Sequence, residues 1–275
     1  MAKRTRRRKK TRGTGWKIFG AILLVMAVVC IVKSIGLRQV CTSERRSNMP
    51  DVPRNTYAME GFRKENGRIT YEDETRYTQT GIDVSVYQGD IDWNLVAQDG
   101  ISYAIIQAGY RGYTDGELGE DVQYRTNLTG AVGAGLDIGI YFFSQAVSVE
   151  EAREEAYFLL ELLAGVEPTL PVFYDWERAD EGRTRDVSGE MVTDCAIAFC
   201  EVIEASGYQA GIYLNQDYIY NLVDLSRLKD YPLWFAQYQD LPDMIYDFTW
   251  WQYTDAGTVA GINHPVDLNI WIREK

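Results

Sequence analysis

PVFYDWE, residues 171–177, places two acids in an otherwise apolar run. Val172, Phe173 and Tyr174 favour extended backbone, and the run is short enough for a buried strand. Side chains alternate across a strand, so Asp175 and Glu177 share one face and Trp176 takes the other. Two residues along a strand advance the chain by ~6.7 Å. Carboxylates so close disfavour ionisation of both, and apolar surroundings raise a carboxyl pKa further. Such a pair predicts either a strand emptying into a cleft or a structural strand end whose acids bind backbone amides or an arginine.

Working outward, the flanking sequence alternates between β-rich runs and helical stretches from residue 80 onward. Strands are expected at 81–86, 102–108, 136–143, 170–176 and 208–214, with helices after Asp92, over 121–133, and in SVEEAREEAYFLLELLAG and SGEMVTDCAIAFCEVIEAS. Three further strands follow at closer spacing, at 231–238, 248–253 and 265–271. Strand–helix alternation implies a parallel sheet with crossover helices. Eight strands in so short a segment predict an α/β fold closed into a barrel and thin in helices towards its end. An open doubly wound sheet is the alternative. In either fold the C-terminal strand ends carry chemistry; Asp175 and Glu177 end the fourth strand, while Asp83 sits in the first and Asp267 in the eighth. Asp92, in GDIDW, reads as a helix N-cap.

Composition narrows the chemistry. The chain has one histidine, His264, which excludes a zinc site built on several histidines and leaves little room for a Ser-His-Asp triad. No GxGxxG or GxxxxGKS/T stretch offers a phosphate cradle. Carboxylates (40) and aromatics (7 Trp, 19 Tyr, 9 Phe) are abundant, a combination that suits sugar chemistry. No cofactor or metal is expected. Cys195 and Cys200 lie in a helical pattern at a spacing that prevents them from facing each other, and read as small core residues.

The first 17 residues carry nine Lys/Arg and no acid. The remainder therefore carries −21, the total of −12 less those nine positive charges. A fifteen-residue uncharged run, 18–32, follows the basic block. Residues 16–37 as a helix would reach roughly 33 Å, enough for a hydrocarbon core of ~30 Å. The expectation is a basic cytoplasmic tail (1–17), a transmembrane signal anchor (18–37) and an extracellular remainder, with a cleaved signal peptide as the alternative. A nucleic-acid partner is not expected. Residues 38–79 are polar, contain Pro50 and Pro53, and read as a stalk or linker, whose part from 65 onward could instead pack on the domain at 80–275. The protein is expected to be monomeric.

GIDVSVYQGDIDW (81–93) resembles the opening signature of glycoside hydrolase family 25, the muramidase or lysozyme family. The resemblance continues in order through AIIQAGYRGY, NLTGAVGAGLDIGIY with FFSQA, PVFYDWE, GIYLN, LWFAQY, WWQYT and VDLN, covering roughly 80–271. It implies an irregular (β/α) barrel of eight strands and about five helices. It also implies cleavage of the β-1,4 bond between N-acetylmuramic acid and N-acetylglucosamine in peptidoglycan glycan strands, with retention of configuration. Carried over by position, Glu177 is the general acid. Asp175 is the nucleophile or the group that orients the substrate's acetamido nucleophile. Asp83 and Asp267 are the other cleft acids. Tyr141, Tyr213, Trp234, Trp251 and Tyr253 are candidate sugar-stacking rings, and Gln237 and Gln252 candidate hydrogen-bonding partners. One departure is Gln107, where the family often carries a basic residue. A wall-binding module without catalysis would lose an acid, and a chitinase-like barrel would want an aspartate where Phe173 stands.

Overall fold

The computed structural model describes Met49 and residues 51–275. The expected tail and membrane anchor lie outside the described residues. Among those described, no helix is long and apolar enough to cross a membrane. The stretch read as stalk is folded from Met49 onward and belongs to the same compact unit as the barrel. It forms a hairpin, β1 (Phe62–Glu65) and β2 (Arg68–Tyr71). Asn66 and Gly67 both have positive φ, at 51° and 79°, and form a two-residue turn between Glu65 and Arg68. Asn-Gly suits such a turn because its twist matches that of the flanking strands. Apolar anchors seat the hairpin: Phe62 and Tyr71 are buried, and Phe62 packs edge-on against Trp251.

Eight strands close the barrel: β3 (Arg76–Val84), β4 (Tyr103–Arg111), β6 (Asp137–Ser144), β7 (Val172–Trp176), β8 (Ala210–Asn215), β9 (Leu233–Ala236), β10 (Trp250–Gly257) and β11 (Val266–Glu274). A short β5 (Leu118–Glu120) pairs with β4 outside the ring. Each of the eight expected strands coincides with one of these barrel strands. All barrel pairings from β3 through β10 are parallel, while β11 runs antiparallel to both β10 and β3 and completes the ring. The irregularity follows from chain length: a tight β10–β11 connection leaves no room for the crossover helix that a parallel strand needs.

Six α-helices occur among the described residues, where the resemblance implied about five: α1 (Trp93–Gln98), α2 (Tyr124–Gly133), α3 (Val149–Leu162), α4 (Gly189–Ala205), α5 (Gln216–Asn221) and α6 (Leu225–Leu228). Asp92 caps α1, accepting from the amides of Asn94 and Leu95. Ser148 and Ser188 cap α3 and α4 in the same way. Cys195 and Cys200 are buried free thiols on α4.

The strand alternation separates two cores. Outward-facing residues pack against the helices and the hairpin, whereas Tyr103, Ile105, Phe173, Trp234 and Trp250 fill the barrel's interior. Trp250 and Trp271 are cross-strand partners and stack at 5.4 Å. Gly81 makes space for this filling, since a Cβ there would lie 2.3 Å from the Tyr103 ring. The bulky rings close one end of the barrel, so polar side chains collect at the other.

Candidate active site

A cleft of about 580 Å³ opens at the C-terminal ends of the parallel strands. Asp83, Asp175, Glu177 and Asp267 all line it, together with Tyr141, Tyr213, Trp234 and Gln252. Asp83 and Asp267 are direct partners in the β3–β11 ladder. Asp175 lies one residue before the end of β7, paired with Tyr213 of β8, and Glu177 stands just beyond the strand. The local period of two thus delivers 175 and 177 to one side while Trp176 turns out, its indole donating to the Ala146 carbonyl at 2.9 Å.

A chain of directed hydrogen bonds holds Asp83. Its Oδ2 accepts from Gln252 Nε2 at 2.9 Å and from Asn269 Nδ2 at 2.7 Å. Trp234 Nε1 donates to Asn269 Oδ1 at 2.8 Å, and the hydroxyls of Tyr213 and Tyr238 donate to Gln252 Oε1 at 2.9 and 3.1 Å. Both amides have their oxygens engaged by donors, so their NH₂ groups are aimed at the carboxylate. Asp175 contrasts with this: its Oδ1 is buried without a protein partner. A buried acceptor left open on a cleft wall is a place for a ligand's donor.

Burial raises all four acids. Asp83 is pushed up to about 6, with its two amide partners opposing the rise, and Asp267 to about 8, where burial is reinforced by the charges of Asp83 and Asp255. Asp175 lies well above the ordinary aspartate range through burial and the charges of Glu177, Asp83 and Asp267. Burial also raises Glu177. Like charges this close titrate together, so protons belong to the cluster rather than to one side chain. Burial and mutual repulsion therefore both favour keeping a proton within the cleft.

Glu177 sits on a shelf built from residues distant in sequence. Its main-chain carbonyl accepts from Gln145 Nε2 at 2.6 Å, and Thr184 Oγ1 lies 3.2 Å from the same oxygen and 3.1 Å from Gln145 Oε1. Gln145 and Thr184 are fully buried. Behind them, buried Arg111 donates to Glu155 Oε1 at 2.8 Å, and Ser144 Oγ donates to Glu155 Oε2 at 2.6 Å. This buried ion pair is thus fully hydrogen-bonded, the condition under which such pairs are tolerated.

Three expected sugar contacts lie elsewhere. Trp251 and Tyr253 alternate with Gln252 along β10 and point outward, Trp251 against Phe62 and Tyr253. Gln237 follows inward-facing Ala236, and its Oε1 accepts from the Asp243 amide at 2.9 Å. The period of two forbids neighbouring residues from sharing the cleft face. In their place the structure brings in Tyr87, Tyr113 and Tyr238, more than half exposed at the rim, and Asn269 beneath. Asn269 was readable from VDLN, since it lies two residues beyond Asp267. Tyr113 and Tyr238 sit on loops and Tyr87 in a single 3-10 turn (Val86–Gln88), and none carries a periodic signal. Gln107, at the departure from the family pattern, faces the cleft and accepts from the Tyr141 hydroxyl at 3.1 Å.

The structure is an α/β barrel with an acid cluster at the C-terminal mouth of its parallel strands, and comparison with known proteins gives the family. The model of "Glycosyl hydrolases family 25" matches residues 82–262, and the chain belongs to that family. It is 27% identical over 190 residues to the autolytic lysozyme of Clostridium acetobutylicum, an alignment covering 69% of this chain and 54% of that protein. The chain thus spans about half the length of that relative. It is 27% identical over 199 residues to lysozyme M1 of Streptomyces globisporus, covering 69% of this chain and 66% of the other. Among solved structures, a bacterial lysozyme from Streptomyces coelicolor superposes with a TM-score of 0.54 at 25% identity, covering 69% of this chain and 90% of that one.

Proposed function

We propose that the protein is a muramidase, hydrolysing the β-1,4 bond between N-acetylmuramic acid and N-acetylglucosamine with retention of configuration. The observation that carries this reading is the pair at the end of β7: Glu177, raised by burial, beside Asp175 with an unpartnered buried oxygen. The relatives' names, autolytic lysozyme and lysozyme M1, support the same substrate.

Glu177 in its neutral form donates its proton to the bridging oxygen, and the leaving sugar departs as an alcohol. Positive charge then develops at the anomeric carbon. Asp175 meets it, either by forming the glycosyl bond itself or by holding the acetamido N–H while the acetamido oxygen forms that bond. The two routes share stereochemistry. An acetamido N–H donating to Asp175 favours the ionised carboxylate and offsets the bias that burial imposes. Glu177, now a carboxylate, takes a proton from a water whose oxygen bonds to the anomeric carbon as the bond to Asp175 or to the acetamido oxygen breaks, and both acids return to their starting state. Asp83, whose ionised form the Gln252 and Asn269 amides favour, adds negative charge near the developing cation, and the tyrosine rim offers sugar faces a surface to stack on.

Digestion of purified peptidoglycan by the full-length protein, followed by borohydride reduction and mass spectrometry, tests the bond assignment. Reduced muramic acid is expected; reduced glucosamine overturns the reading. Membrane anchoring is part of the same proposal, supported by the uncharged run at 18–32 behind nine basic residues. Alkaline carbonate washing of membranes should leave the protein in the pellet, and its release would refute the anchor.

A further inference from the structure

Beside the cleft lies a second groove, of about 430 Å³, on the other side of β11. Asp267 lines the cleft and its neighbour Leu268 lines the groove, so the two are back to back across one strand. Tyr238 belongs to both. Its hydroxyl reaches Gln252 inside the cleft at 3.1 Å, while its half-exposed ring stands where the two spaces meet. The far wall is the β1–β2 hairpin, which contributes Lys64, Asn66 and Arg68 and lies outside the segment matched by the family model.

The lining decides what the groove suits. A sugar binds best on an exposed aromatic face. Past Tyr238 the groove offers none, because Tyr253 is buried. It offers instead charges of both signs and short polar groups: Lys64, Arg68, Asp240, Gln239, Thr254 and Thr258. Lys64 and Asp240 form an ion pair between hairpin and barrel, with side chains 45% and 72% exposed. Exposed pairs contribute little to stability, so a ligand's own carboxylate and amine can replace it at little cost. Arg68 is fixed by Asp99, which keeps the hairpin wall in place. The groove's position matters equally. Tyr238 lines both spaces, so the groove lies within reach of a branch on a glycan strand seated in the cleft.

We infer that this groove binds the short peptide carried on the muramyl lactyl group, a branch with free carboxylates and an amine, and so makes the hairpin a specificity element for peptide-bearing glycan. The inference rests on the muramidase reading.

The test compares two glycan chains of equal length, one bearing its peptides and one stripped of them by an amidase, with the full-length protein. Wild type should cleave the peptide-bearing chain with a kcat/KM about tenfold higher. Lys64→Glu and Thr258→Trp, both at exposed positions, should each raise KM on that chain about fivefold and leave cleavage of the stripped chain unchanged. Equal cleavage of both chains by wild type and variants overturns the peptide groove and leaves the muramidase reading standing. Loss on both chains alike in the two variants likewise overturns it, since that outcome marks a structural role for the hairpin. No cleavage of either chain by wild type overturns the muramidase reading and the groove with it.

Discussion

The side-chain amide of Gln145 donates to the main-chain carbonyl of Glu177 at 2.6 Å, so the acid at the cleft is held by its backbone rather than by its carboxyl. This leaves the carboxyl free to lose and regain a proton while its position stays constant. Gln145→Leu removes this donor and leaves the carbonyl with Thr184 Oγ1 alone, at a cost of about 0.5–1.5 kcal/mol in stability. For a residue acting through position alone, kcat should fall by about 10²-fold with KM nearly constant. Thr184→Val should show the same split more weakly. A fall in stability with unchanged kcat would show that the shelf plays no part in placing the acid.

Glu177→Gln removes the proton donor but keeps size and backbone contacts. Activity on peptidoglycan should drop by about 10³-fold or more, with an unaltered circular dichroism spectrum. In the wild type the alkaline limb of the pH–rate profile should lie above the usual glutamate range, because burial raises this group. Full-speed lysis by the variant would remove Glu177 from the mechanism.

The cleft acids cost stability as they ionise. Burial and the charges of Asp83 and Asp255 push Asp267 up to about 8 in the folded protein, above the ~3.9 of a free aspartate, so the folded cluster favours the extra proton. The stabilisation is fully present below about pH 4 and is lost as pH rises towards 8. Asp267→Asn removes this loss. The melting-temperature difference between variant and wild type should therefore grow with pH between 5 and 8, reaching several degrees, about 1–3 kcal/mol in free energy. A difference independent of pH would show that Asp267 does not titrate in that window.

Trp251 and Tyr238 separate packing from binding. Trp251 is fully buried in the outer core, so Trp251→Ala should cost about 3–5 kcal/mol, measured by denaturant unfolding. Tyr238→Phe keeps the ring but removes a donor to Gln252, and should raise KM by about threefold to tenfold with little change in stability. A Trp251 variant that folds normally yet binds substrate poorly would reverse this assignment.

Much of the barrel was legible from residue types. Strand existence depends on local propensity and alternation, and all eight expected strands are present. The acid positions were partly legible: D-x-E on a strand puts 175 and 177 on one side by period, whereas Asp267, near the start of β11, reaches the cleft only because β11 runs antiparallel to its neighbours. The hairpin at 62–71 was read as part of a stalk because its polar residues outnumber its anchors, Phe62, Ile69 and Tyr71. Those few apolar residues suffice once a barrel surface stands opposite them. The extra helices, α5 and α6, are six and four residues long, too short for a periodic signal.

The sequence by itself determined the order of elements and which residues share a side of each strand, because alternation is a steric property of the local chain. Only the tertiary structure decided which side of β10 faces the cleft, putting Gln252 inside and Trp251 out through pairing with Ala236 and Phe235 of β9. It alone brought Gln145 and Thr184 to Glu177, and the hairpin to Tyr238. Such contacts join residues distant in the chain, and their free energy exists only after the barrel has closed.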